Sequence, residues 1–271
     1  MNYIQIEFIT AQENEREILI ALLFNAGFES FEEREKSLLA FIKEDSFIKE
    51  DLEDILINKS INYVITILPQ QNWNEHWERS FEPILVNDFV SIRANFHKTI
   101  QKVKHEIIIT PKMSFGTGHH ATTYMMIEQM GGLNFNNKTV LDFGTGTAVL
   151  SILAEKMGAS SIHAIDCDSW SIENSIENKE ANHCKKINLI KSETISAGPI
   201  YDIILANINL NVILNNLDAI KEVGKTGTII LLSGFIKTDE LVMLEALRQK
   251  EITQLKTLQK GEWISVCCIM S

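Results

Sequence analysis

Apolar runs alternate regularly with amphipathic stretches over residues 139–249, and this alternation limits the fold of the 271-residue chain more than any other feature. Strands are predicted at 139–142, 161–166, 187–191, 201–206 and 227–233, and helices at 149–157, 169–182, 211–223 and 238–249. Strands that alternate with helices form a mostly parallel sheet covered on both faces. Two closing strands, 252–258 and 263–270, turn at Lys260-Gly261 and indicate an antiparallel edge. We therefore expect an α/β fold with a doubly wound, mostly parallel sheet.

The first 70 residues have a shorter pattern in the order strand, helix, strand, strand, helix, strand. These elements are expected at 3–9, 13–25, 28–33, 37–42, 46–58 and 61–68. The order is that of a small ferredoxin-like α+β sandwich. This fold is compatible with many functions, so it predicts a shape and not an activity.

Negative charge is concentrated in the same segment. Residues 1–70 contain 14 acidic and 6 basic residues, a net charge of −8, whereas residues 71–271 contain 22 acidic and 19 basic residues, a net charge of −3. The change predicts a domain boundary near residue 70. The whole chain has a net charge of −11, which repels phosphate and favours a basic protein partner over nucleic acid.

Three aromatic residues follow the boundary at four-residue spacing: Trp73, Trp77 and Phe81. Side chains four residues apart lie on one face of a helix. We therefore predict a linker helix at 71–87 and a second domain at 88–271. The aromatic face either packs on a domain or forms a platform for a ligand.

No apolar run approaches the roughly 20 residues that a membrane helix needs, and the first residues lack the basic and apolar regions of a signal peptide. The four cysteines form no CxxC pair, so we expect reduced thiols and no structural zinc. These features predict a cytoplasmic protein that does not bind membranes.

The strongest motif is the run Asp142-Phe143-Gly144-Thr145-Gly146, where a predicted strand enters a glycine turn before a helix. Such a turn lets a ligand approach the backbone at a helix amino terminus. Val149 stands where a dinucleotide-binding fingerprint requires a small residue. We expect the Asp142 carboxylate to point into the crevice above the sheet, where it favours the cationic end of a ligand.

Polar residues also stand at the ends of two other predicted strands. Asp166 lies 22 residues after Gly144, where an acid commonly binds ribose hydroxyls, and Asp168 is a candidate helix N-cap. Asn207 ends another predicted strand, where its amide oxygen can accept a hydrogen bond from an amine or cap a helix. We assign ribose binding to Asp166 and a site role to Asn207.

A further glycine-rich run, residues 115–123, follows strands predicted at 89–94 and 106–110 and precedes a helix predicted at 121–130. We interpret it as a flexible loop leading into a helix that covers the crevice. His119 and His120 are adjacent and therefore point in different directions, and no third ligand accompanies them. We expect no metal site.

These motifs resemble class I S-adenosylmethionine-dependent methyltransferases, and more specifically the ribosomal protein L11 methyltransferase family. The pattern F-G-T-G-x-H-x-T-T, at residues 115–123, is the specific part, whereas Asp142-x-Gly144-x-Gly146 is shared by many methyltransferases. The resemblance extends over nearly all of residues 70–271. It also includes the linker aromatics, Ala206-Asn207-Ile208 and Leu232-Ser233-Gly234.

The resemblance implies a seven-stranded methyltransferase sheet, S-adenosyl-L-methionine as cofactor, and a substrate-recognition domain at 1–70. The implied reaction is methylation of amino groups, on lysine side chains and/or the amino terminus, of a large-subunit ribosomal protein. Cofactor-binding positions carry over to Thr123, Gly144, Asp166 and Asn207. The chain departs from the family pattern at His119, Ala121, Ala148 and Asn209.

We therefore expect an N-methyltransferase, acting as a monomer, in which Asp166 binds ribose while Gly144 and Gly146 admit the cofactor. Asn207 is the expected catalytic residue because it would orient the acceptor amine, and Thr123 would fix the covering helix against the cofactor. Asp142 is an expected cofactor-binding residue.

Two other functions stay open. Adenine and glutamine-amide methyltransferases commonly have Asn-Pro-Pro-aromatic where this chain has Asn207-Ile208-Asn209-Leu210, which contains no proline. A cofactor-binding module without turnover is the third possibility.

Overall fold

A computed structural model describes residues 2–9, 13–34, 36–57, 59, 61–68, 81–112 and 114–271. The chain divides into two compact units, Met1–Trp73 and Asn74–Ser271. Most of the predicted linker helix, including Trp73 and Trp77, lies outside the described residues. No helix in the described ranges is long and apolar enough to cross a membrane.

The first unit is a small antiparallel sheet with two helices. Its elements are β1 (Tyr3–Ile9), α1 (Glu13–Asn25), β2 (Ser30–Glu33), β3 (Ser37–Lys43), α2 (Lys49–Leu56) and β4 (Asn62–Leu68). The strand order is β2-β3-β1-β4 and every pairing is antiparallel, which confirms the ferredoxin-like arrangement.

Alternation along β1 explains the core of this unit. Ile4, Ile6 and Phe8 are buried while the residues between them are only partly buried, as expected for a strand with one face on the core. Leu19 of α1 and Leu52 of α2 are buried in the same apolar cluster. The helices therefore cover one face of the sheet.

The second unit is built on the sheet that the sequence predicts. Its elements are β5 (Ile84–Val86), β6 (Val90–Ala94), β7 (His105–Ile109), α3 (Ala121–Met130), β8 (Thr139–Phe143), α4 (Val149–Lys156), β9 (Ser161–Asp166), α5 (Ser169–Ala181), β10 (Ile187–Lys191), β11 (Ile203–Asn207), α6 (Leu210–Asn215), α7 (Leu217–Glu222), β12 (Ile229–Ile236), α8 (Glu240–Gln249), β13 (Ile252–Lys260) and β14 (Trp263–Met270).

Seven strands form the main sheet in the order β10-β9-β8-β11-β12-β14-β13. The first five are parallel to one another, and β14 is antiparallel to both of its neighbours. The reversed strand thus lies inside the sheet and β13 forms the edge, which refines the predicted antiparallel edge. The doubly wound, seven-stranded fold is confirmed.

Two local predictions differ from the structure. Residues 84–86 form strand β5 and not the end of a linker helix, because Pro83 is unfavourable inside a helix and Ile84–Val86 pairs with β6. The strands β5, β6 and β7 form a separate sheet. The single helix predicted at 211–223 is two helices, because Asn216 leaves helical geometry and donates a hydrogen bond to the Val212 carbonyl.

The main sheet buries apolar side chains on both faces. Val140 of β8 belongs to one apolar cluster and Leu141 to the other, and Ile203 and Ile204 of β11 divide in the same way. Burial on both faces is typical of parallel strands. Since β8, β9 and β11 run in one direction, the residues at their carboxyl ends lie on the same side of the sheet.

Candidate active site

The carboxyl ends of the parallel strands border a cavity of about 440 Å³, a volume typical of small-molecule sites. Its lining comes from the segments after β8, β9, β10 and β11, from β12, and from the loop before α3. The lining residues are Phe115, His120, Phe143, Gly144, Gly146, Asp166, Cys167, Ser171, Ser192, Glu193, Asn207, Ile208, Asn209, Val212, Gly234 and Trp263.

The turn after β8 requires glycine at two positions. Gly144 and Gly146 have φ values of 77° and 57°, in the left-handed region that favours glycine. A Cβ at Gly144 would lie 2.1 Å from Ile208 Cγ2, and one at Gly146 would lie 2.3 Å from the Phe115 carbonyl oxygen. The two glycines therefore let neighbouring segments close around the cavity wall.

Ala148 completes this turn and takes the place of the family's third glycine. It is fully buried and has a φ of 62°, a left-handed conformation that costs a non-glycine residue roughly 1–2 kcal/mol. Ala148 thus adopts the left-handed backbone conformation that favours glycine, although it carries a methyl group.

Asp142 does not point into the crevice as the sequence predicts. Strand β8 continues to Phe143, so Asp142 stays within the sheet and its side chain faces α4. The Thr145 and Ser151 hydroxyls donate to its Oδ2 atom, each at 2.7 Å. Asp142 is absent from the cavity lining, which corrects the expected orientation of its carboxylate.

The environment of Asp142 perturbs its acidity. Burial raises the pKa of its carboxyl to about 6, although the Ser151 and Thr145 hydroxyls act in the opposite direction, and the Asp166 charge adds to the rise. Its Oδ1 atom is buried and has no hydrogen-bond partner among the described residues. Asp142 therefore holds the glycine turn through its hydrogen bond with Thr145. Its second carboxyl oxygen is left without a hydrogen-bond partner among the described residues.

Asp166 lies at the end of β9 on the cavity wall, as predicted. Its Oδ2 accepts a hydrogen bond from the Gly146 amide at 2.8 Å, and Oδ1 accepts one from the Asp168 amide at 3.0 Å. A carboxylate has about four acceptor positions, so two remain for ligand hydroxyls. Asp168 accepts from the Trp170 and Ser171 amides as the N-cap of α5.

Asn207 ends β11 and is 7% exposed at the cavity wall. Its Nδ2 donates to the Thr123 hydroxyl at 3.2 Å, while its Oδ1 is buried without a partner among the described residues. Buried polar atoms are rarely unsatisfied, so this oxygen is a natural acceptor for a ligand N–H group. Asn209, and not Asn207, caps the next helix by accepting from the Val212 amide.

Thr123 is fully buried in α3 and does not line the cavity. The sequence predicts that it fixes α3 against the cofactor. The structure instead gives it one clear contact near the site, the hydrogen bond from Asn207. Thr123 therefore positions the Asn207 amide.

The loop before α3 is tied to the glycine turn. The Thr147 amide donates to the Phe115 carbonyl at 3.0 Å, and the Thr147 hydroxyl donates to the Gly116 carbonyl at 2.7 Å. The His119 ring lies edge-on to Phe81, with ring centres 4.8 Å apart. The loop thus has defined contacts at both ends, where the sequence predicts a flexible segment.

His120 and Trp263 complete the wall, and the sequence analysis assigns neither to the site. His120 Nδ1 is the N-cap atom of α3 and lies 3.4 Å from the Thr122 amide nitrogen and 2.8 Å from the Thr122 hydroxyl. The centre of its ring lies 4.6 Å from the ring centre of Trp263. In the contact with the hydroxyl, Nδ1 accepts or donates according to the tautomer of the ring. Trp263 begins β14, and no local sequence signal places it beside residue 120. No group of three candidate metal ligands occurs in the described parts of the chain.

These residues fit S-adenosyl-L-methionine. The cavity has a suitable volume, Asp166 offers free acceptor positions for ribose, and Asn207 lines the same cavity and has an unsatisfied side-chain oxygen. Gly144 and Gly146 expose backbone next to that carboxylate.

Comparison with known proteins gives a consistent result. The family model described as "Ribosomal protein L11 methyltransferase (PrmA)" matches residues 3–270. A curated ribosomal protein L11 methyltransferase from Bacteroides fragilis is 35% identical over 277 residues, covering 98% of this chain and 99% of the relative. The Porphyromonas gingivalis protein of that name is 37% identical over 262 residues, covering 94% and 90%.

Among solved structures, a ribosomal protein L11 methylase from Lactobacillus delbrueckii subsp. bulgaricus matches with a TM-score of 0.66 and 23% identity, covering 70% of this chain and 100% of that one. This similarity supports the fold. The full-length match to the family model and the curated relatives lead to one conclusion: the chain belongs to the ribosomal protein L11 methyltransferase family and is an S-adenosylmethionine-dependent methyltransferase.

Proposed function

We propose that the protein transfers methyl groups to amino groups of ribosomal protein L11, and that Asn207 orients the acceptor nitrogen. The observation that carries this role is the buried Asn207 Oδ1, which has no partner among the described residues and belongs to a side chain on the cavity wall. An amine that donates an N–H to this oxygen is held in one orientation. The hydrogen bond to Thr123 keeps the amide from rotating.

The bound cofactor supplies an electrophilic methyl group on a sulfonium. The acceptor amine attacks with its lone pair, so a lysine with an ordinary pKa of about 10.4 must first lose a proton. The cavity wall includes the apolar or aromatic side chains of Phe115, Phe143, Ile208 and Trp263. Such surroundings disfavour the charged ammonium and favour the neutral amine. Catalysis then depends mainly on orientation and exclusion of water.

His120 lies on the cavity wall, and its Nδ1 is engaged by the Thr122 hydroxyl at 2.8 Å. We assign His120 a structural role in the wall, because this nitrogen is tied to the helix that it caps. The acceptor then loses its proton to solvent before it enters the cavity.

Capture of the substrate is assigned to the first unit. Its net charge of −8 over residues 1–70 complements a basic ribosomal protein, and complementary charge speeds association and aids selection. The folded core of this unit contains none of the residues that line the cavity. Recognition and chemistry are thus divided between the units.

A matched set of three variants tests the role of Asn207. We expect Asn207→Ala to lower kcat about 100-fold, the scale expected when a reacting group is misplaced, with a smaller change in the calorimetric Kd for S-adenosylmethionine. Thr123→Val should show the same pattern more weakly. Thr228→Val is the control, because Thr228 is also fully buried and hydrogen-bonded, to Tyr201 and Lys225, and is absent from the cavity lining.

Equal losses of kcat and cofactor affinity in Asn207→Ala would identify Asn207 as a cofactor anchor and refute its orienting role. The acceptor is identified by incubating the full chain with labelled S-adenosylmethionine and ribosomal proteins, followed by mass analysis. Label on a glutamine amide or on adenine, or cofactor binding with no transfer, would reject amino-group methylation.

A further inference from the structure

A second cavity of about 380 Å³ lies at the other ends of the helices that border the active site. It is lined by Lys104, His105, Glu106, Ile108, Lys156, Ala181, Asn182 and His183. Lys156 ends α4 and Asn182 follows α5. Both helices begin beside the active-site turn, so their lengths separate the two cavities by roughly 12–20 Å. We call this second cavity the lysine cleft.

Two positive charges in the lysine cleft lack an acidic partner. Neither Lys104 nor Lys156 forms an ion pair with any described residue. Glu106 is the acidic residue in the lining, and it is held by Arg93 through bonds of 2.8 and 3.0 Å. The bond from Arg93 keeps the pKa of Glu106 below its usual range, and the charge of Lys156 adds a smaller effect in the same direction. Two lysines against this one carboxylate, which Arg93 already holds, leave the lining of the cleft cationic on a chain with a net charge of −11.

His105 adds an unsatisfied polar atom. Its Nε2 is buried and has no hydrogen-bond partner among the described residues. Burial and the nearby charges of Lys104 and Lys156 lower the pKa of this imidazole. A buried ring nitrogen normally has a hydrogen-bond partner. Beside two lysines without ion pairs, the partner that best fits this nitrogen is an oxygen of an anionic ligand.

Ordinary helix electrostatics explains only part of this arrangement. A lysine in the last turn of α4 interacts favourably with the helix dipole, which accounts for Lys156. Lys104 precedes β7 and is not on a helix, and the Phe89 ring below it, at 5.9 Å, does not neutralise its charge. The dipole also leaves the buried Nε2 of His105 without a partner.

We propose that the lysine cleft is a second ligand site that binds a phosphate group between Lys104 and Lys156, with His105 contributing a hydrogen bond. A phosphate carries about −1.5 to −2 charges at neutral pH and several acceptor oxygens, which matches two ammonium groups and, in the tautomer protonated on Nε2, the imidazole of His105. The group can belong to a free phosphate or to a nucleic-acid backbone, since both present the same oxygens.

The test uses the full-length protein and inorganic phosphate at low ionic strength. We expect calorimetry to detect binding, and the His105 ring signals to shift during an NMR titration. Lys104→Ala combined with Lys156→Ala should weaken binding at least about tenfold, because both ammonium partners of the phosphate are removed. Cofactor affinity should not change, because neither lysine lines the active-site cavity.

Lys256→Ala combined with Lys260→Ala is the matched control, because it removes the same charge from β13 at the edge of the main sheet. It should leave phosphate binding intact. A short RNA oligonucleotide separates the two sources: competition with phosphate indicates a nucleic-acid backbone, and binding of phosphate alone indicates a free phosphate. Absence of phosphate binding, or equal binding by the double-lysine variant and the wild type, would overturn the proposal.

Discussion

The buried carboxyl of Asp142 should make the free energy of unfolding depend on pH by an amount that can be calculated. Its pKa is raised from 3.8 to about 6 in the folded protein, so the folded state binds the proton more tightly than the unfolded state. The stability associated with this group is complete below pH 3.8 and is lost as the pH rises through 6. The total loss is about 3 kcal/mol, and about half of it falls between pH 5 and pH 8.

Asp142→Asn removes this titration and preserves the shape of the side chain. The amide oxygen can still accept from the Thr145 and Ser151 hydroxyls, and the amide nitrogen takes the position of the unsatisfied Oδ1. Any constant cost of that exchange is independent of pH. The difference in unfolding free energy between variant and wild type should therefore move in favour of the variant by about 1.5 kcal/mol from pH 5 to pH 8.

Urea unfolding of both proteins at a series of pH values measures this difference, and titrating groups that do not interact with Asp142 cancel in the comparison. Ser151→Ala serves as a control, because it should lower stability while the carboxyl continues to titrate. Parallel pH profiles for wild type and Asp142→Asn would refute the argument that burial controls the acidity of Asp142. With S-adenosylmethionine at saturation, the pH-dependent gap should shrink if the cationic ligand favours the carboxylate.

Three further predictions concern the cavity and the first unit. Asp166→Ala should weaken S-adenosylmethionine binding by about 1–3 kcal/mol in a calorimetric titration, and unchanged affinity would remove Asp166 from the site. Gly144→Ala should lower the free energy of unfolding more than Gly227→Ala. Both glycines have positive φ, but only a Cβ at Gly144 would clash with Ile208. Equal losses would leave backbone strain as the sole cause. Raising the salt concentration should raise KM for ribosomal protein L11 more than the Kd for cofactor if residues 1–70 capture substrate by charge, and an insensitive KM would reject that role.

The order of strands and helices could be predicted from the sequence, because it depends on the hydrophobic pattern within each segment. The central strands β8 and β11 have apolar residues on both faces, and the helices between strands have apolar stripes, so the order of elements from 139 to 249 could be predicted. Asp166 was also predictable, because a strand ending at an acid a fixed distance after Gly144 is a local pattern.

Other features depended on where a strand ends or on pairing between distant residues. Strand β8 continues past Asp142 to Phe143, so Asp142 stays within the sheet with its side chain against α4. Trp263 meets His120 only because β14 enters the sheet between β12 and β13. The hydrogen bond between Asn207 and Thr123 joins residues 84 positions apart. Periodicity carries no information about such contacts.

The reversed direction of β14 has a practical consequence for handling the protein. Trp263 begins that strand at the active-site cavity, whereas Met270 bonds to Gly227 and Thr228, which precede β12. Residue 271 therefore lies near the amino ends of the parallel strands, on the side of the sheet opposite to the cavity. A purification tag, fluorophore or surface attachment at this end should leave the cavity open, so immobilised protein can be used for single-molecule or surface-based measurements of cofactor binding.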